Sequence, residues 1–154
     1  MISMNMKILR FDSARVQRAM DAATQRALNK AGGWIRKTAR RSIRKRKGIS
    51  QPGQPPHSHA GQLRDLLIYG YEPYAKTVVI GPLPFKAGEA PSLLEFGGAV
   101  ARQLPHPKRG AARRPGGMRR MVYRKRPFMG PALDKALAQP GLVPGFWRNE
   151  VRGP

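Results

Sequence analysis

Apolar residues recur at three- and four-residue steps through Val16, Met20, Ala23, Ala27, Ala31, Trp34, Ile35, Ala39 and Ile43. That spacing keeps them on one side of an α-helix. The pattern predicts one long helix over residues 14–47, about 50 Å at ~1.5 Å per residue. Asp12 or Ser13 can cap its start by accepting from free N–H groups of the first turn. Gly32-Gly33 is a weak point where a bend or break is expected. At the far end, Arg44-Lys45-Arg46-Lys47 complements the negative end of the helix dipole, and Gly48 suits the left-handed closing conformation.

Past residue 50 the helical period is lost. Gln51-Pro-Gly-Gln-Pro-Pro56 and His57-Ser-His59 are too rich in Pro and Gly for anything but an extended loop. Two strands are predicted over residues 63–71 and 76–81, joined through Glu72-Pro73-Tyr74 as a short hairpin. Residues 92–96 suit a helical turn or a strand. Weaker strands are expected at 100–104 and 118–124, flanking a basic loop at 105–117. Pro131 opens a short helix through Ala138, taking the favoured first position. Residues 139–154 read as an arm on a single domain covering 1–138. The predicted class is α+β: a long N-terminal and a short C-terminal helix on a small antiparallel sheet of about four strands.

Charge alters this picture more than any motif. The 154 residues carry 30 Lys+Arg and 8 Asp+Glu, a formal net charge of +22. No acid falls between Asp21 and Asp65, a stretch with eleven Lys/Arg, nor between Glu95 and Asp134, with ten. Two basic blocks therefore flank a nearly neutral middle. The candidate contacts for DNA or an acidic partner are Arg36, Lys37, Arg40, Arg41, Arg44, Lys45, Arg46 and Lys47 in the first block. In the second they are Arg109, Arg113, Arg114, Arg119 and Arg120. Such clusters neutralise phosphates and release counterions. Leu, Ile, Val and Phe number 12, 7, 7 and 5, one fifth of the chain. So thin an apolar fraction gives a modest core and points to partners.

Catalytic chemistry finds little support. The acids are scattered, and the G-x-S-x-G elbow, the GxGxxG fingerprint and the Walker loop are missing. A non-enzymatic role is expected, with no cofactor. His57 and His59 can share a face of an extended segment. With only His106 as a further histidine, they read as polar loop residues rather than metal ligands. No cysteine is present, which removes disulfides and thiol chemistry from this chain. No apolar run approaches the ~18 residues of a membrane span, and the first twelve residues lack the pattern of a signal peptide. Phe146-Trp147 is a candidate anchor on a partner, or else folds back on the domain's own core.

Three short motifs recur in order behind the basic helix: Gly61-Gln-Leu63-Arg64-Asp65, Leu93-Leu94-Glu95-Phe96-Gly97, and Arg126-Pro127-Phe128-Met129-Gly-Pro131-Ala132-Leu133. Together they resemble the tail-completion and head–tail joining proteins of long-tailed bacteriophages, of the minor tail protein Z type, over residues 14–138. Departures are Ala60 and Gly98, where that family commonly has Thr. The resemblance implies a virion protein assembled in the host cytoplasm: a ring subunit, usually hexameric, in the neck or at the head-proximal end of the tail. Its implied partners are copies of itself, neighbouring neck, connector and tail-tube proteins, and genomic DNA passing without sequence reading. The rival reading is a free, non-specific nucleic-acid-binding protein.

Physical roles for the motifs follow from residue chemistry. Gly97 permits a tight turn after Phe96, which is expected in the core. Glu95 is expected to pair with Arg126 or with an arginine of a neighbouring subunit. Pro127 and Pro131 bracket Phe128 so that it packs as the short helix begins. Six copies at +22 carry +132, whereas a ring about 50 Å tall encloses roughly 30 DNA charges at ~1.7 Å each. Most of the charge is therefore expected at protein neighbours or in solvent.

Overall fold

The computed structural model describes residues 12–83, 90–103, 118–148 and 150. Helix α1 spans Ser13–Ser42 and is capped by Asp12, whose Oδ1 accepts from Arg15 N at 3.0 Å. Ala23, Ala27, Gly32, Ile35 and Ala39 form its buried stripe, as the periodicity required. Val16 and Met20, at the start of that stripe, are exposed.

Two expectations for this helix are corrected. It runs through Gly32-Gly33 unbroken, because a hairpin seats there. A Cβ on Gly32 would lie 2.8 Å from Val78 Cγ2 and 2.9 Å from Tyr69 Cδ2. The missing side chain thus gives room for the approach. The helix also stops at Ser42 rather than Lys47. Ile43 turns to extended backbone and is buried. Arg44 then forms a parallel bridge with His57, and its carbonyl accepts from Ser58 N at 2.9 Å. Burying Ile43 takes the chain off the helix axis, so Arg44–Lys47 lies in a loop and Gly48 is no helix cap.

The chain continues through a short helix α2 (Gln62–Asp65), strands β1 (Leu67–Glu72) and β2 (Thr77–Pro82), helix α3 (Ala90–Phe96), strands β3 (Gly98–Gln103) and β4 (Met118–Tyr123), and helices α4 (Gly130–Ala138) and α5 (Leu142–Trp147). The first predicted strand is shortened because Gly61 adopts φ +85° and its carbonyl accepts from the amides of Arg64 and Asp65, which coils residues 62–65. The class is α+β. Its strands form two separate antiparallel hairpins, β1–β2 and β3–β4, instead of one sheet of four.

One core gathers Ile35, Ala39 and Ile43 with Leu63, Leu67, Phe128, Ala132 and Ala136. Trp34, Ile80, Leu94, Met129 and Leu142 pack around it. Helix α1 is the common floor, touching β1, β2, α4 and α5. The β3–β4 hairpin packs mainly on itself.

Candidate functional site

The first basic block divides into tethered and free cations. Arg36 Nε donates to the Leu67 carbonyl at 2.6 Å, and Arg40 Nη2 lies 3.0 Å from Asp65 Oδ1. These two arginines hold β1 and α2 to the helix. Lys37, Arg41, Arg44, Lys45, Arg46 and Lys47 are exposed, and among the described residues none has a side-chain hydrogen bond or ion pair. Arg41, Arg44 and Arg46 line a cleft of about 610 Å³ with Ser50, Gln54 and His57. The loop forming it is pinned from outside: Arg126 Nε donates to Ser50 O at 3.0 Å, and Gly53 N donates to Lys125 O at 2.9 Å. His57 Nδ1 sits 2.8 Å from Gly48 O, so its ring helps close the same loop.

In the second block, Arg109, Arg113 and Arg114 lie outside the described residues. Arg119 and Arg120 are exposed on β4, and strand alternation sends them to opposite faces of the hairpin. Val122 pairs with Ala99 and Arg120 with Ala101, and paired residues share a face. One face of the hairpin therefore carries Ala99, Ala101, Met118 and Val122 around Arg120, all exposed. Apolar surface crossed by a cation suits contact with another molecule.

The three motifs meet at one joint. Leu63 and Phe128 belong to the same core, and Phe128 is only 1% exposed. Glu95 does not pair with Arg126. Its Oε2 accepts from Phe128 N at 2.9 Å and Met129 N at 3.1 Å, and its Oε1 from Gly130 N at 2.8 Å. A carboxylate on the free N–H groups that open α4 is favoured by both hydrogen bonding and the helix dipole. Arg126 turns instead to the Ser50 and Arg124 carbonyls, while its amide donates to Leu94 O at 2.6 Å. Gly97 takes φ +75°, the tight turn foreseen. Phe96 is not in the core: it is 80% exposed, because Leu94 supplies the inward side chain of α3. It borders a groove of about 420 Å³ between β2, α3 and the segment entering α4, lined also by Ile80, Leu83, Pro91 and Met129. Pro131 sits at the start of α4 as expected, whereas Gly61 opens the α2 turn and Arg64 lies within it.

The C-terminal segment folds back. Helix α5 packs on α1 and α4, with Phe146 half-buried and Trp147 44% exposed. Beyond it, Glu150 accepts from Arg26 Nε at 2.6 Å and from Lys30 Nζ, with its side chain 6% exposed. Hydrogen bonds from Lys30 and then Arg26 hold its carboxyl below the usual carboxylate range. A second distant pair joins Lys76 Nζ to Asp21 Oδ1 at 2.5 Å, and the hydrogen bond from Lys76 to Asp21 raises the lysine above its ordinary value. Sequence reasoning missed both pairs, since nothing local marks partners so far apart in the chain.

Among the described residues no group of three or more His, Cys, Asp or Glu could hold a metal ion, and His106 lies outside them. No helix among the described residues is long and apolar enough to cross a membrane. No family model matches the chain, and no curated protein or solved structure matches it.

Proposed function

We propose that the chain is a structural virion protein, a ring-forming tail-completion or neck subunit that joins a phage tail to its head around the DNA channel. The observation that carries this reading is the joint of the three motifs. Leu63 and Phe128 share a core, and the Glu95 carboxylate ties the second motif to the third. The motif residues thus form one connected joint in a small domain, which supports a scaffold role. The surface supports assembly as well: Phe96, the apolar face of the β3–β4 hairpin and Ile49 are exposed on a chain with a small core. Interfaces between copies, with acidic neighbours taking up part of the +22, would cover them. Negative-stain imaging of the purified protein, alone and with tail tubes, tests the reading. Rings are the expected result, and strictly monomeric behaviour in both samples overturns it.

A second reading, a free nucleic-acid-binding protein, is favoured by the untethered Arg41, Arg44 and Arg46. It requires tight, steeply salt-dependent binding of duplex DNA by the isolated monomer at physiological salt.

A further inference from the structure

Helix α1 ends early, and the chain that follows curls into a loop whose inner wall is cationic. Arg41, Arg44 and Arg46 line its cleft, and no acid is among the lining residues. None of the three guanidinium groups has a hydrogen bond or ion pair among the described residues. Three like charges around one concavity repel unless an anion sits between them. Ser50 lines the same cleft and is 6% exposed, and its buried Oγ has no hydrogen-bond partner among the described residues. A buried hydroxyl without a partner is rare in folded proteins and calls for a partner from outside the chain, a water or a ligand group. The carboxamide of Gln54 adds a further neutral donor at the wall.

We propose that this cleft is a phosphate-binding site, with Arg41, Arg44 and Arg46 as its cationic donors and Ser50 Oγ as its neutral donor. Guanidinium forks match the oxygens of a phosphate in pairs. Three forks and a hydroxyl supply more donors than one carboxylate can accept, which favours phosphate over an acidic side chain. The volume of about 610 Å³ admits a phosphate together with the sugar or base attached to it. The group can come from a nucleic-acid backbone or from free phosphate or a nucleotide. The loop is held by Arg126 and Gly53, outside the three arginines, so the donors can be changed without cutting the tether. The inference rests on the basic block being a binding surface but does not need ring formation.

The test compares two variants of equal charge loss in the full chain, R44Q/R46Q at the cleft and R119Q/R120Q on the β3–β4 hairpin. A short fluorescent DNA duplex is titrated across a salt series. Inorganic phosphate and ATP are titrated in parallel by calorimetry, and polyglutamate is used as a competitor. For the cleft variant, duplex affinity should fall about tenfold or more and the log–log salt slope by about two, one for each arginine removed from a phosphate. The hairpin variant should lose about threefold or less, as surface charge acts diffusely. S50A should raise the melting temperature without phosphate, because it removes an unpaired buried hydroxyl, and should weaken binding of whichever phosphate probe the wild type takes. Tight duplex binding with weak binding of inorganic phosphate and ATP assigns the site to a nucleic-acid backbone, and the reverse assigns it to the small anion. Equal losses in both double variants for whichever phosphate probe the wild type binds, or polyglutamate competing as well as that probe at equal charge, overturn the proposal. Rings seen by microscopy alongside such a failure would leave the neck reading standing, and binding without rings would do the opposite.

Discussion

Replacing Glu95 by Ala removes one acceptor from three backbone N–H groups at once, those of Phe128, Met129 and Gly130. A hydrogen bond to a charged group contributes about 1.5–3 kcal/mol. The three share a single carboxylate, and the half-buried joint lets water recover part of the loss, so they do not add. A loss of about 2–4 kcal/mol is expected for E95A, most of it from stranded donors at the start of α4. E95Q keeps one acceptor oxygen but places an amide against a backbone N–H and gives up the charge that complements the dipole. About 2 kcal/mol is expected for it. Urea unfolding followed by circular dichroism measures both, with the midpoint shift read at constant slope. A loss of ~0.5 kcal/mol or less for E95A, the size of an ordinary surface change, would refute the capping role. So would R126A matching E95A in its effect on the amide exchange of α4, since that would restore the ion pair the geometry denies.

The neighbouring glycines of α1 should respond with opposite signs. G33A meets only ordinary contacts with Tyr69 at 3.8 Å and beyond, so it should gain about 0.5–1 kcal/mol of helix propensity. G32A meets Val78 and Tyr69 at under 3.0 Å, and overpacking of about 1–3 kcal/mol should outweigh the same gain. G32A proving as stable as G33A in thermal melts would show that the hairpin does not seat there. Glu150 has its carboxyl lowered from 4.5 in the folded protein, so its contribution is present above the unfolded value and is lost as pH falls through the folded one. Amide protection in α5, relative to intrinsic exchange at each pH, should therefore fall below about pH 4.5 ahead of α1, and E150Q should lack that protection already at pH 7. Phe96 is exposed, so F96S should leave monomer stability within about 0.5 kcal/mol while reducing ring yield in micrographs. Unchanged ring yield would remove Phe96 from the interface.

The local part of the fold is legible in the sequence. The stripe from Ala23 to Ile43 announces α1 because neighbours three and four apart decide it, and Asp12 caps it for the same reason. Gly32 reads as a break when only its neighbours in sequence are considered. Its meaning lies in Tyr69 and Val78, brought to it by a hairpin far along the chain. The premature helix end has a similar cause, since Ile43 is drawn into a core completed by Phe128 and Ala132. Abundant cations make an arginine the obvious partner for Glu95, whereas the opening amides of α4 stand closer in the fold. Within the cleft, the arginines are visible as a charge run. That Ser50 joins them is not, because it is buried in a loop whose carbonyl is held by Arg126 from another part of the chain.

The rare acids explain how so basic a chain can fold at all. Asp12 opens α1, Asp21 ties it to the β1–β2 turn, and Asp65 binds Arg40 beside α2. Glu95 opens α4, and Glu150 secures the segment beyond α5 to Arg26 and Lys30. Five of the eight acids thus serve the fold, Asp12 as a helix cap and the other four at joints between elements, each at a place where a helix end or a distant cation needs an anion. Repulsion among the remaining cations is tolerable only where they can spread into solvent or meet an anion from outside. Those at the loop after α1 and along β4 do lie outside the core. A substitution that removes one of the five acids should therefore do double damage, loosening a cap or a joint and adding an uncompensated cation. Neutralising an untethered arginine such as Arg46 should instead stabilise the isolated protein slightly while weakening its hold on partners. Stability and binding should thus move in opposite directions across the basic loop and in the same direction across the acids.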